Sequence, residues 1–69
     1  MKLSARNVLK GTIKTIEVGA VNNEVVVEVA PGIEITSIIT KKSCNNLELE
    51  VGKEVYVVVK ASNVMIGIE

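Results

Sequence analysis

Between Val25 and Val59 apolar residues recur at every second position and not at helical spacing. Val25, Val27 and Val29 share one parity, with Glu24 and Glu28 on the other; Ile33, Ile35 and Ile39 follow Pro31-Gly32; Val55, Val57 and Val59 follow Gly52. A period of two lines one face of a strand, and Pro-Gly or Gly punctuation between such runs marks turns. The pattern predicts three strands here. A further run, Val64-Ile66-Ile68, predicts a closing strand, and a first strand spans about Val8 to Val18. Within that first strand the apolar set changes parity, from Leu9 and Ile13 to Ile16 and Val18, as a bulge or sharp bend near Lys14-Thr15 would produce. Gly19-Ala20 and Asn22-Asn23 read as turn or loop, and Ser43-Cys44-Asn45-Asn46 as a one-turn helix or loop. Five short strands with one helical turn between the third and fourth predict an all-β fold. The expected form is a five-stranded OB-like Greek-key barrel, one domain over residues 1–69.

Several residues of the opposite parity, Val26, Ile38, Val58 and Met65, are also apolar, so the second face of these strands is not simply solvated. Chain length sharpens the point. Sixty-nine residues lie near the lower limit for a self-sufficient core. Ordering costs roughly 1.5 kcal/mol per residue, on the order of 100 kcal/mol in all, which apolar burial in a small monomer only just offsets. A single cysteine allows no intramolecular disulfide, and the absence of histidine removes the usual zinc-finger sets. Oligomerisation is the remaining staple, in keeping with an apolar share of 48%.

Eight basic residues balance eight acidic ones, so no global field gathers nucleic acid or an anionic membrane. The start, Met1-Lys2-Leu3-Ser4, has no apolar signal segment and no run of about 18 apolar residues occurs, which predicts a cytoplasmic protein with Cys44 as a free thiol. Catalysis is discounted: with no histidine, no aspartate and one cysteine, the common nucleophile and base sets are missing. An OB-like barrel suggests single-stranded nucleic acid by analogy, yet such sites need stacking platforms and a basic groove. Tyr56 is the only aromatic residue, and it reads as a packing residue with a wet hydroxyl.

The remaining chemistry sits at the two ends. Ser4-Ala5-Arg6-Asn7, with Gly11 beyond, and Lys60-Ala61-Ser62-Asn63-Val64 bring a guanidinium, an ammonium and two hydroxyls to segments that a fold joining its termini would aim at one anion. Small Ala5 and Ala61 let backbone N–H groups approach an oxyanion closely, and a tetrahedral dianion has four acceptor oxygens and no proton to give. Each residue alone has a plain structural alternative: Ser4 as a turn cap, Arg6 as the partner of a surface glutamate, Lys60 as an edge charge.

Taken in order, Ser4-Ala5-Arg6-Asn7 with Gly11, Gly19-Ala20-Val21-Asn22, Ile39-Thr40 with Ser43, Leu47 and Leu49, Gly52-Lys53-Glu54-Val55 and Lys60-Ala61-Ser62-Asn63-Val64 resemble the molbindin, or Mop, family of small molybdate-binding proteins. The resemblance covers essentially the whole chain. It implies strand exchange into dimers and a hexamer that is a trimer of dimers, with molybdate or tungstate held between subunits as a cytoplasmic store or buffer. Carried over by position, it implies an anion site from Ser4, Ala5, Arg6, Lys60, Ala61 and Ser62, with Thr40 and Ser43 matching hydroxyl positions of the related regulator domain. It also implies a second class of site at Gly19, Ala20 and Val21. No cofactor, bare metal ion, nucleic acid or membrane is implied. The alternative from another class is a structural or regulatory interaction module on the same fold without significant anion binding.

Overall fold

The chain is described over residues 1–69 by a computed structural model. Its first strand, β1 (Asn7–Val18), takes a different partner along each half. From Asn7↔Val59 to Thr12↔Glu54 it pairs antiparallel with β4 (Glu54–Val59), and from Thr12↔Glu28 to Val18↔Asn23 with β2 (Asn22–Ala30). The β1–β2 register slips between Ile13 and Thr15, so Lys14 stands outside the ladder at the point where the apolar parity changes. The bulge lets the inward set continue as Ile16 after Ile13. At Gly11 the two strands approach so closely that a Cβ would lie 2.6 Å from the Glu28 carbonyl oxygen, a position only glycine fills without a shift.

β3 (Ile33–Thr40) pairs with β2 from Ala30↔Ile33 to Asn22↔Thr40, across a two-residue turn in which Pro31 precedes Gly32 at φ 76°. Proline then glycine at positive φ is the type II pattern. A six-residue helix, α1 (Lys41–Asn46), follows β3, and a single 3₁₀ turn, Ala61–Asn63, follows β4. The sheet order is β3-β2-β1-β4, all antiparallel, curled around Ile13, Val25 and Val27. Ile16, Val29, Ile39, Leu49, Val55 and Val57 pack against these three, and Cys44 of α1 is buried as well.

The fold class is the expected one, but the strand count is four and not five. Val64–Ile68 forms no strand within the chain: it lies beyond the 3₁₀ turn unpaired, with Met65, Ile66 and Ile68 93%, 89% and 95% exposed. A strand is stabilised only by a neighbour that accepts its ladder hydrogen bonds, and here neither edge, β3 nor β4, takes up the tail. An apolar groove of about 470 Å³, lined by Ile13, Val25, Val27, Leu49 and Val55 among others, stays open over the core. The accessible surface of 5601 Å² for 7.4 kDa exceeds the roughly 4,200 Å² of a compact monomer of that mass.

Candidate functional site

The pair Asn7↔Val59 decides where the two terminal motifs meet. One step beyond it stand Arg6 and Lys60, both exposed, whereas Asn7 and Val59 are half-buried. Both cations are therefore open to solvent at the same end of the β1–β4 pair. Neither makes an ion pair; the two ion pairs in the chain are Lys10–Glu54 at 3.2 Å and Lys14–Glu28 at 3.7 Å. The hydrogen bond with Glu54 holds the Lys10 ammonium above its ordinary range, so that lysine belongs to the exposed β1–β4 ladder and not to the site.

Lys60 is the N-cap of the 3₁₀ turn, with no side-chain cap bond. The turn closes through Asn63 N–H to the Lys60 carbonyl at 2.8 Å and Val64 N–H to the Ala61 carbonyl at 3.3 Å. The N–H groups of Ala61 and Ser62 have no backbone acceptor, as the first donors of a helical turn do not. Ser4 and Ser62 are exposed with free hydroxyls, and half-buried Ala5 lies between Ser4 and Arg6. The segments Ser4–Arg6 and Lys60–Ser62 thus lie at the same end of the β1–β4 pair, each next to a residue of the terminal Asn7↔Val59 pair. The result is a cluster of donors with no carboxylate bonded to it.

Thr40 and Ser43 lie elsewhere in the same chain. Thr40 caps α1, accepting from the Ser43 N–H at 3.0 Å, and donates its hydroxyl proton to Ser43 Oγ at 2.8 Å. The Ser43 proton is left free to donate. Thr40 pairs with Asn22, beside the Asn23↔Val18 pair that ends β1, whereas Lys60 follows Val59, whose partner Asn7 begins β1, and a strand of that length spans on the order of 35 Å. One tetrahedral anion does not bridge these two groups within a single chain.

Gly19, Ala20 and Val21 form the β1–β2 connection. The Gly19 N–H bonds the Asn22 carbonyl at 3.0 Å and the Val21 carbonyl accepts from Lys41 N–H at 2.8 Å, leaving the Ala20 and Val21 N–H groups without a backbone acceptor. Gly19 lines a recess of about 300 Å³ that also carries Glu17 and Glu24, directly opposite each other on β1 and β2. Those carboxylates oppose an anion there, a feature that the turn residues alone did not reveal.

Sequence reasoning also missed Lys53, whose Nζ donates to the Leu47 and Glu48 carbonyls, both at 3.1 Å. No periodicity signals a lysine that reaches back five and six residues to the end of a helix.

Comparison with known proteins bears on the family and the fold. The TOBE domain family matches residues 3–66. The chain is 45% identical over 69 residues to a probable molybdenum-pterin-binding protein of Haemophilus influenzae, covering all of both chains. Its fold superposes on MopII from Clostridium pasteurianum with TM-score 0.91 at 45% identity, covering 97% of this chain and all of that one. It superposes on the cytoplasmic molybdate-binding protein ModG, in a form with molybdate bound, with TM-score 0.94 at 51% identity over the whole of this chain and 49% of that one.

Proposed function

This chain belongs to the TOBE-domain family, among its molbindin (Mop) proteins, and on that premise we propose that it binds molybdate reversibly, as a cytoplasmic store or buffer, and takes tungstate through the same donors. The observation that carries the reading is that Arg6 and Lys60 each stand one residue beyond the terminal Asn7↔Val59 pair and neither has a carboxylate partner. Two neighbouring cations are mutually unfavourable in the free protein, and a dianion turns that repulsion into two charge-assisted hydrogen bonds. The Ser4 and Ser62 hydroxyls and the free N–H groups of Ala61 and Ser62 complete a shell of donors. A fully deprotonated oxyanion accepts from all of them, and on this reading it is bound and released without transformation.

The site is completed between copies. Ser43, with Thr40 behind it, is about a strand length from Lys60 in its own chain, so both groups reach one anion only if a neighbouring copy supplies one of them. The unpaired apolar tail, the open groove and an accessible surface roughly 1,400 Å² above the compact-monomer expectation support such an assembly. We take the assembly to be a homohexamer built as a trimer of strand-exchanged dimers. A second anion position at Gly19, Ala20 and Val21 would use the free N–H groups of Ala20 and Val21, and needs a cation from another copy to offset Glu17 and Glu24.

Native mass spectrometry of the protein with molybdate, and with sulfate and phosphate as controls, tests the reading. A hexamer that gains several molybdates and little sulfate is expected. An oligomer that gains none refutes anion binding and leaves an interaction module on the same fold.

A further inference from the structure

We propose that Lys53 is a positioning residue for the anion site: it sets the stance of α1, and through it Ser43, on the barrel. The inference rests on the reading that Ser43 donates to the anion. α1 ends with Glu48 N–H bonded to the Asn45 carbonyl at 3.0 Å and Leu49 N–H to the Cys44 carbonyl at 3.1 Å. These are the two bonds of a Schellman ending, which requires a left-handed residue between them, usually glycine. Here that residue is Glu48, at φ 54°. A side chain in this conformation crowds its own carbonyl, and a six-residue helix has few bonds of its own with which to hold it.

The ammonium of Lys53 supplies what the turn lacks. It donates to the carbonyls of Leu47 and Glu48, the last acceptors at the negative end of the helix. Its own backbone is tied to the core: the Lys53 carbonyl accepts from Ile13 N–H at 3.0 Å, and Gly52 N–H donates to the Ile13 carbonyl at 2.8 Å. Ile13 is the most deeply buried side chain and borders the β1 bulge. Lys53 therefore joins the end of α1 to the β1–β4 pair whose far end carries Arg6 and Lys60. Without the ammonium, the strained turn at Glu48 samples other conformations, and Ser43 spends less time where a neighbouring copy needs it.

Molybdate titration of the assembled full chain by calorimetry, with assembly checked by native mass spectrometry, tests the proposal. Lys53→Met is expected to weaken molybdate binding about three- to tenfold, because apparent affinity falls with the fraction of competent turn. Adding Glu48→Gly to Lys53→Met is expected to restore affinity to within about twofold, since glycine adopts positive φ without strain. In a Ser43→Ala background, Lys53→Met is expected to add no further loss, a coupling that a lysine serving stability alone does not produce. Unchanged affinity in Lys53→Met, with only a lower thermal midpoint, overturns the proposal. Should that variant fail to assemble, Lys53→Gln takes its place: a twofold or larger loss is expected, and wild-type affinity overturns the proposal. Wild-type protein that takes up no molybdate overturns the underlying reading, and this inference with it.

Discussion

Replacing Arg6 by alanine should act in opposite directions on the free and the liganded protein. In the free chain Arg6 is exposed, makes no ion pair or side-chain hydrogen bond, and stands beside Lys60. The substitution removes no stabilising contact there. It relieves a repulsion between two exposed cations that in water is below about 1 kcal/mol and is screened further at physiological salt. In the complex it removes a charged hydrogen bond worth about 1.5–3 kcal/mol, a loss of roughly 10- to 150-fold in affinity. Calorimetric titration with molybdate, beside a thermal melt of the ligand-free variant, reads both quantities. The expected outcome is a ligand-free midpoint equal to or slightly above wild type together with much weaker binding. Lys in place of Arg6 should fall between, because it keeps the charge and loses the planar fork. An assembled Arg6→Ala protein that binds within twofold of wild type would refute the role given to the guanidinium. A large fall in the ligand-free midpoint would show instead that Arg6 makes stabilising contacts in the free protein.

Two further predictions concern the frame that holds the site. Ile66→Asp with Ile68→Asp changes side chains that are almost fully exposed in their own chain, so circular dichroism should keep the sheet signal while sedimentation velocity shows smaller species; each apolar side chain covered between copies is worth about 1.5–3 kcal/mol, and an unchanged sedimentation coefficient counts against the tail as an interface. Gly11→Ala places a Cβ 2.6 Å from the Glu28 carbonyl and 2.7 Å from Val27 Cγ1, which should cost about 1–3 kcal/mol and lower the thermal midpoint.

Much of the fold was legible from local chemistry. The strands over Val25–Val29, Ile33–Ile39 and Val55–Val59 formed as the alternation predicted, and the parity change near Lys14 marked a real bulge. A buried face leaves its period in the chain, so these elements could be read residue by residue. The tail shows what such a pattern leaves open, since it has no partner within its own chain. Val64-Ile66-Ile68 carries the period of a strand, but period reports which face wants burial and not whether a neighbour exists to pair with. At the site, the lack of carboxylates around Ser4-Ala5-Arg6 and Lys60-Ala61-Ser62 was visible as composition. The opposition of Glu17 and Glu24 beside Gly19 was not, because it depends on how β1 and β2 align.

The sequence by itself determined an all-β chain, the location of its bulge and turns, and two donor motifs suited to an oxyanion, since each of these rests on residues within a few positions of one another. Only the tertiary structure decided that Arg6 stands beside Lys60, that Thr40 and Ser43 face a different end, and that Lys53 ties α1 to the core. Arg6 and Lys60 lie at opposite ends of the chain, and what joins them is the β1–β4 register, set by how Gly11, Ile13, Val55 and Val57 settle around one core. Register of that kind is a property of the packed whole, and no local pattern encodes it.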